Sequence, residues 1–317
     1  MSNATKTLAL AFVGSLALVG LVTWTGGSPA SEAFRGTVIA LDTADVAALV
    51  VQDPDEEAPV RLARAEGGWT VGRGEEGPRY PAEAASVRRA LEALGALRAS
   101  AVVTRQPEKH ARFAVDSTGT TVTALDDDGD VLARLVVGRV SFASQQPRTY
   151  VRPADDPSVF EVEGMLASRL NRDLEAWREK RVWTLDRAAL TRIDFAYPAD
   201  SAFSIERAVG EAAWVSEGDT LQAGVVGQLV DELAALDAAG FAEDLDPEAF
   251  GTARYTLRLH LDGGEARELR LRPADGEEDT RYLVAASGYP YVFEVRKRTW
   301  DNRVLKARSA LLREGDE

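Results

Sequence analysis

Val159-Phe160-Glu161-Val162 returns letter for letter as Val292-Phe293-Glu294-Val295. Strand alternation puts the phenylalanine and second valine of each copy on one face, and the first valine and glutamate on the other. A hairpin core explains the motif without a ligand. Each copy follows a tyrosine in a strand-like run, Tyr150 in Thr-Tyr-Val-Arg and Tyr282 in Arg-Tyr-Leu-Val. Upstream, the same parts recur in the same order. An alternating strand comes first, Val46 to Val51 and then Ile193 to Ala196. A lone tryptophan follows, Trp69 and then Trp214, and after it an amphipathic helix. Next come a phenylalanine beyond a polar loop, Phe113 and then Phe250, and a turn, Asp128-Gly129 and then Asp262-Gly263. A period of about 130 to 145 residues is too long for a solenoid and fits a duplicated domain.

The pattern divides the chain into a first unit at 43–185 and a second at 186–312, with an acidic tail at 313–317. In the first unit Val60 to Arg64 alternates, and Gly67-Gly68 ahead of Trp69 reads as a hairpin turn. Pro81 opens a helix whose apolar positions Val87, Leu91, Leu94 and Leu97 recur at helical spacing. Strands Thr121 to Leu125 and Val131 to Val137 flank the Asp126 to Asp130 turn, the Tyr150 to Val162 hairpin follows, and Met165 to Trp177 closes the unit as a helix. The second unit predicts strands Phe203 to Val209 and Trp214-Val215. Its helix, Val225 to Leu236, carries Val226, Leu229, Val230, Leu233 and Leu236 on one face. Four further strands and a final helix, Lys297 to Leu312, complete it. The expected class is α+β, with antiparallel sheet and one or two packed helices per unit.

No charge occurs between Lys6 and Glu32, and Leu8 to Thr25 is almost wholly apolar. Eighteen helical residues reach about 27 Å, just enough to cross a hydrocarbon core of about 30 Å. The expected order is a cytoplasmic tail at 1–6, a transmembrane helix at 7–25 with Trp24 at the outer interface, and a linker at 26–42. That is a single pass through the inner membrane, with the bulk periplasmic. A cleaved signal peptide ending at Ser28-Pro29-Ala30 is the alternative, and the length of the apolar run favours the anchor. A net charge of −14 argues against a nucleic-acid or anionic-lipid surface, since binding phosphates needs clustered Lys and Arg. The absence of cysteine removes disulfides, thiolate nucleophiles, zinc–thiolate sites and lipoprotein acylation.

Candidate chemistry is sparse. His260 alternates with Leu257, Leu259 and Leu261, which puts it on the wet face of its strand, and His110 sits in a polar loop. Asp126-Asp127-Asp128-Gly129-Asp130 fills the first three ligand positions of a calcium loop. Its glycine then falls at position 4 and Val137 at position 12, so the pattern fails. Trp69 and Trp214 read as core plugs rather than sugar platforms, and Arg178 to Arg181 as a helix end exposing basic side chains. No catalytic, cofactor-binding or metal-ligating residue is assigned.

The assembled parts resemble the bacterial family of domains of unknown function numbered 4340. The residues that carry the likeness are the apolar run Leu8 to Thr25, Gly68-Trp69, the helix around Leu91 to Leu97, and Phe113. Leu135-Val136-Val137-Gly138, the Tyr150 to Val162 hairpin and Arg178-Glu-Lys-Arg-Val182 complete the set. Where the family continues with Gly-Leu, this chain has Ala114-Val115 and then Gly251-Thr252. The resemblance implies an envelope accessory role beside an ABC-type transporter permease or auxiliary subunit, with no catalytic residues to carry over. The expectation is therefore a non-catalytic, membrane-anchored binding or assembly module without cofactor. A carboxylate-dependent envelope hydrolase and a cell-wall glycan-binding module using Trp69 or Trp214 are the alternatives.

Overall fold

A computed structural model describes residues 36–313 except 144, 200, 208–211, 244 and 276–279. The predicted membrane helix at 7–25 and nearly all of the acidic tail lie outside the described residues. Among those described, no helix is long and apolar enough to cross a membrane. The chain forms two compact units that divide between Trp177 and Arg178. Val182 and Trp183, read from the sequence as part of the first unit, are buried in the core of the second.

The first unit is an antiparallel sheet with one main helix. Its strands are β1 (Ala48–Gln52), β2 (Val60–Ala65), β3 (Gly68–Arg73), β4 (Tyr80–Pro81), β5 (Ala99–Thr104), β6 (Thr120–Leu125), β7 (Val131–Ser141), β8 (Arg148–Pro153) and β9 (Val159–Glu163). Helix α1 (Ala84–Gly95) lies between β4 and β5. The sheet order is β4-β3-β2-β1-β6-β7-β8-β9-β5. Period-2 apolar residues Leu49, Leu62, Val71, Val122, Leu135 and Val151 meet the helical stripe Val87, Ala90, Leu91 and Leu94 in one core. Pro81 does not open the helix. It pairs with Thr70 in the edge strand β4, where a residue without an N–H leaves no ladder bond unmade. The closing helix is likewise broken, into Ala167–Leu170 and Leu174–Trp177. Asn171 leaves the helical region between them, and its side-chain amide donates to the Asp53 carboxylate.

The second unit carries β11 (Leu190–Ala196), β12 (Ala202–Glu206), β13 (Val215–Ser216), β14 (Asp219–Thr220), β16 (Gly240–Ala242), β17 (Tyr255–Leu261), β18 (Ala266–Pro273), β19 (Arg281–Ala286) and β20 (Val292–Arg296). Their order is β14-β13-β12-β11-β17-β18-β19-β20-β16, the same succession as in the first sheet. A separate two-stranded ribbon joins β10 (Arg181–Thr184) to β15 (Ala235–Asp237). Helix α2 (Ala223–Ala234) therefore stops short of Leu236, which pairs with Trp183 instead, and the Trp183 indole donates to Leu233 O at 2.8 Å. The last helix, α3 (Lys297–Arg303), also ends early. Leu311 beyond it is fully buried and its carbonyl accepts from Gln222 N, so tertiary packing rather than helix continuation fixes the end of the unit.

Strand register refines the sequence alignment of the two units. Tyr150 lies opposite Glu161, whereas Leu283 lies opposite Glu294, so Tyr150 and Tyr282 are one residue out of step. A one-residue step changes faces. Tyr282 accordingly joins the main core, while Tyr150 packs on Phe113 at a centroid distance of 4.8 Å in a small cluster with Val115, Val136 and Val159. The second unit has the matching cluster of Phe250, Leu283, Ala285 and Val292. Both faces of the Val-Phe-Glu-Val strand thus bury apolar side chains.

The turn after Phe113 accounts for the departure from Gly-Leu. Ala114 sits in the left-handed region at φ 52°, and its counterpart after Phe250 is Gly251 at φ 75°. A Cβ there costs about 1 kcal/mol or more. Ala114→Gly is therefore expected to stabilise the first unit by about 0.5–1 kcal/mol, read as a raised urea midpoint at unchanged m-value. A lowered midpoint would show that Ala114 is not strained.

Candidate docking groove

At one end of the first sheet the chain builds a groove of about 800 Å³. Its walls are the last turns of α1 (Glu92, Ala93, Ala96), the approach to β5 (Leu97 to Ser100), Arg148, and the stretch Val162 to Leu166 with Arg169. Sheet order explains the assembly, because β5 is the edge strand beside β9, and β9 lies beside β8. Arg148 reaches across these strands. Its guanidinium donates to Ser100 Oγ at 2.8 Å and pairs with Glu161 at 3.7 Å, while Ser100 Oγ donates to Glu161 O at 2.9 Å. The chain then turns sharply after β9. Gly164 N donates to Pro147 O at 2.8 Å, and Thr149 Oγ1 donates to Gly164 O and accepts from Leu166 N. That clamp leaves Met165 facing outward, 45% exposed.

Arg98 is tied to the start of the described chain. Thr37 bridges it, and Gly36 O accepts from Ala99 N at 2.9 Å. At the same sheet end, β7 and β8 pair out to Ser141 and Arg148, and Phe142 stands just beyond, 71% exposed. Chemically the groove offers guanidinium donors from Arg98, Arg148 and Arg169, the carboxylates Glu92 and Glu163, and a soft thioether. This set suits holding a polypeptide or headgroup surface. The Ser100 hydroxyl is engaged as an anchor for Arg148.

The residues weighed from the sequence lie elsewhere. His110 Nε2 is 2.8 Å from Pro157 O. His260 is half-buried rather than freely wet, and its Nε2 lies 2.7 Å from Asp194 Oδ2. Burial alone would raise the Asp194 carboxyl, but hydrogen bonds from Arg192 and His260 outweigh it and the net displacement is downward. The Thr118 hydroxyl and backbone likewise lower Asp116. Both shifts run opposite to the raised acid that a paired-carboxylate hydrolase needs. Asp126 uses its carboxylate within the turn, accepting from Asp128 N and Asp130 N, and among the described residues no acidic or histidine cluster could hold a metal.

The tryptophans are packed. Trp214 is 8% exposed, and Trp69 is half-buried against the core. Arg64 lies over Trp69 at 5.1 Å and donates to Val46 O. Arg207 lies over Trp214 at 5.4 Å and donates to Leu190 O. Each ring thus has an arginine on a face that a sugar would need.

The basic joint departs most from expectation. Arg178 is not an exposed helix end but 2% exposed, with its guanidinium carbon 3.4 Å from the Phe241 centroid and 5.0 Å from that of Tyr291. It pairs with Glu243, Arg181 pairs with Asp237, and Lys180 O accepts from Ala238 N. The joint is a structural lock of the second unit.

Residues 73–255 match the model of a family described as a domain of unknown function, DUF4340. The chain belongs to this family. No curated protein and no solved structure matches it. The DUF4340 match runs from the end of β3 to the start of β17, so it takes in α1, the groove residues, the arginine joint and α2. Sequence reading missed the groove because its residues come from three separated segments, 92–100, 148 and 162–169. A signal was nonetheless present in the stretch 131–154, which holds no Asp or Glu in a chain of net charge −14.

Proposed function

We propose that this DUF4340 protein is a membrane-anchored, extracytoplasmic accessory protein. In this reading it is a non-catalytic module that docks onto an envelope complex of ABC-transporter type. The observation that carries the reading is the groove beside Met165 and Phe142. It combines clustered guanidinium groups with outward apolar side chains on an acidic chain, which is the composition of a recognition surface. The anchor is supported by the uncharged run Leu8 to Thr25, which is separated by ten residues from Gly36, where the chain joins the groove rim. The amino terminus would lie inside and both units outside.

We infer further that the two units descend from one duplicated α+β domain. The same nine-strand order, the repeated arginine-on-tryptophan pair and the matched satellite clusters of Phe113 and Phe250 support this. The occupant of the groove would be a carboxylate-bearing segment of a membrane partner, because Arg98 and Arg169 can donate bidentately to such a group.

The test is photo-crosslinking in intact cells from a reactive amino acid at Met165, with a matched probe at Asp127 on the opposite turn. A transporter permease or companion subunit captured from position 165 and not from 127 is the expected result. Cell-wall material alone from both positions would replace the accessory reading with the glycan one.

A further inference from the structure

We propose that the tip of the β7–β8 hairpin is a second membrane contact, with Phe142 inserted at the lipid interface next to the anchor. The inference rests on the anchored reading above and names the surface that this end of the first unit faces.

Three observations lead there. The first is charge. Residues 131–154, the whole hairpin, contain no acidic residue and carry Arg134, Arg139, Arg148 and Arg152, within a chain of net charge −14. Arg134, Arg152 and Arg148 are turned to internal partners, Thr123 Oγ1, Val115 O, and Ser100 Oγ with Glu161, which leaves Arg139 as the exposed cation of the tip.

The second is exposure. Val131, Phe142 and Met165 are the large hydrophobic residues the described chain exposes. Val131 starts β7 at the far end, while Phe142 and Met165 share this one. The loop between the arms, Phe142 to Pro147, offers only Ala, Ser, Gln and Pro beside the aromatic ring and no charge. An exposed aromatic ring just beyond the end of β7, with the Arg139 guanidinium nearby in sequence, matches the headgroup boundary, with the ring below and the guanidinium at the phosphates.

The third is reach. Gly36 is hydrogen-bonded to Ala99, and Ala99, Val162, Thr149 and Val140 lie side by side across β5, β9, β8 and β7. Three strand spacings put them about 14 Å apart. Residues 26–35 between the apolar run and Gly36 span at most about 35 Å when extended. The hairpin tip is thus held within reach of the membrane surface in which the anchor would sit.

Because the chain has no cysteine, a single thiol can be placed at will. Full-length protein carrying Phe142→Cys or Asp127→Cys is labelled with an environment-sensitive dye and reconstituted into vesicles containing phosphatidylglycerol. The dye at 142 should shift its emission to the blue, lose quenching by aqueous iodide and gain quenching by a lipid-borne nitroxide. The dye at 127 should remain fully iodide-accessible. A second variant, Ala143→Cys alone and with Phe142→Ser, tests the ring itself, and the blue shift at 143 should fall when Phe142 is removed. Equal iodide quenching at 127, 142 and 143 in chains that float with the vesicles and resist carbonate would overturn the hairpin contact while leaving the anchor standing. Chains that do not float overturn the anchor and the contact together.

Discussion

Replacing Arg178 by alanine is expected to destabilise the second unit by about 2–4 kcal/mol. The guanidinium lies flat on Phe241, close to Tyr291, and is almost completely removed from water. A desolvated cation–π contact contributes about 2 kcal/mol, and here one cation addresses two rings. Truncation also removes packing of the arginine stem. Its partner Glu243 is half exposed and can be rehydrated, so the loss stays below that of a fully buried pair broken on one side. Arg178→Lys keeps the charge but not the planar group, and should recover less than half of the loss. Amide exchange separates the outcomes. Protection should fall in β16 and β20, which carry Phe241 and the strand beside it, and stay unchanged in β1 and β6. Wild-type protection in β16 and β20 of Arg178→Ala would refute the lock.

Gly138→Ala should cost the first unit about 3 kcal/mol, at the upper end for an added methyl. A Cβ at Gly138 would overlap Phe113 O and come 2.7 Å from Val115 Cγ1 and 2.9 Å from Ala114 O. The turn Phe113-Ala114-Val115 lies directly on β7, and most of what would be struck is backbone, which has little freedom to move. By register Val137 corresponds to Leu271, so the equivalent of Gly138 is Arg272. There the side chain spans the gap, and Arg272 Nε donates to Phe250 O at 3.1 Å. One position therefore solves the same problem in two ways, by direct contact in the first unit and by a side-chain bridge in the second. Gly224→Ala in α2 is the control, since its Cβ would meet nothing within 4 Å, and it should raise stability by up to about 1 kcal/mol. Urea midpoints measured on both variants decide the matter. A Gly138→Ala midpoint equal to wild type would mean that the turn can lift off the strand without cost.

These two positions mark where sequence reading succeeded and where it stopped. The Leu135 to Gly138 strand end and the arginine joint were both recognisable as motifs, yet their roles were not. Gly138 is required by a turn some two dozen residues earlier in the chain, and Arg178 by rings more than sixty residues later. The helices were overextended for a related reason. Apolar spacing continues past Leu170 and past Arg303, but Asn171 is drawn to Asp53 and Leu311 to the core of its unit. In both cases a distant partner offered more than further helical hydrogen bonds.

The sequence by itself determined the main hairpin strands, their turns and the α+β class, because periods of 2 and 3.6 residues and Asp-Gly turns are local properties that every folded context must accommodate. The short strands β4, β10, β14, β15 and β16 and the edge strand β5 were not legible in it. The sequence also showed a recurrence of short motifs, and the two sheets share one strand order. Tertiary structure alone decided that Tyr150 and Tyr282 face opposite ways, that Arg178 is buried, and that Arg98, Arg148, Met165 and Phe142 gather at one sheet end. Those facts depend on which strands pair and in what register, and register is set by non-local burial: a shift of one residue exchanges the two faces while leaving the local pattern untouched.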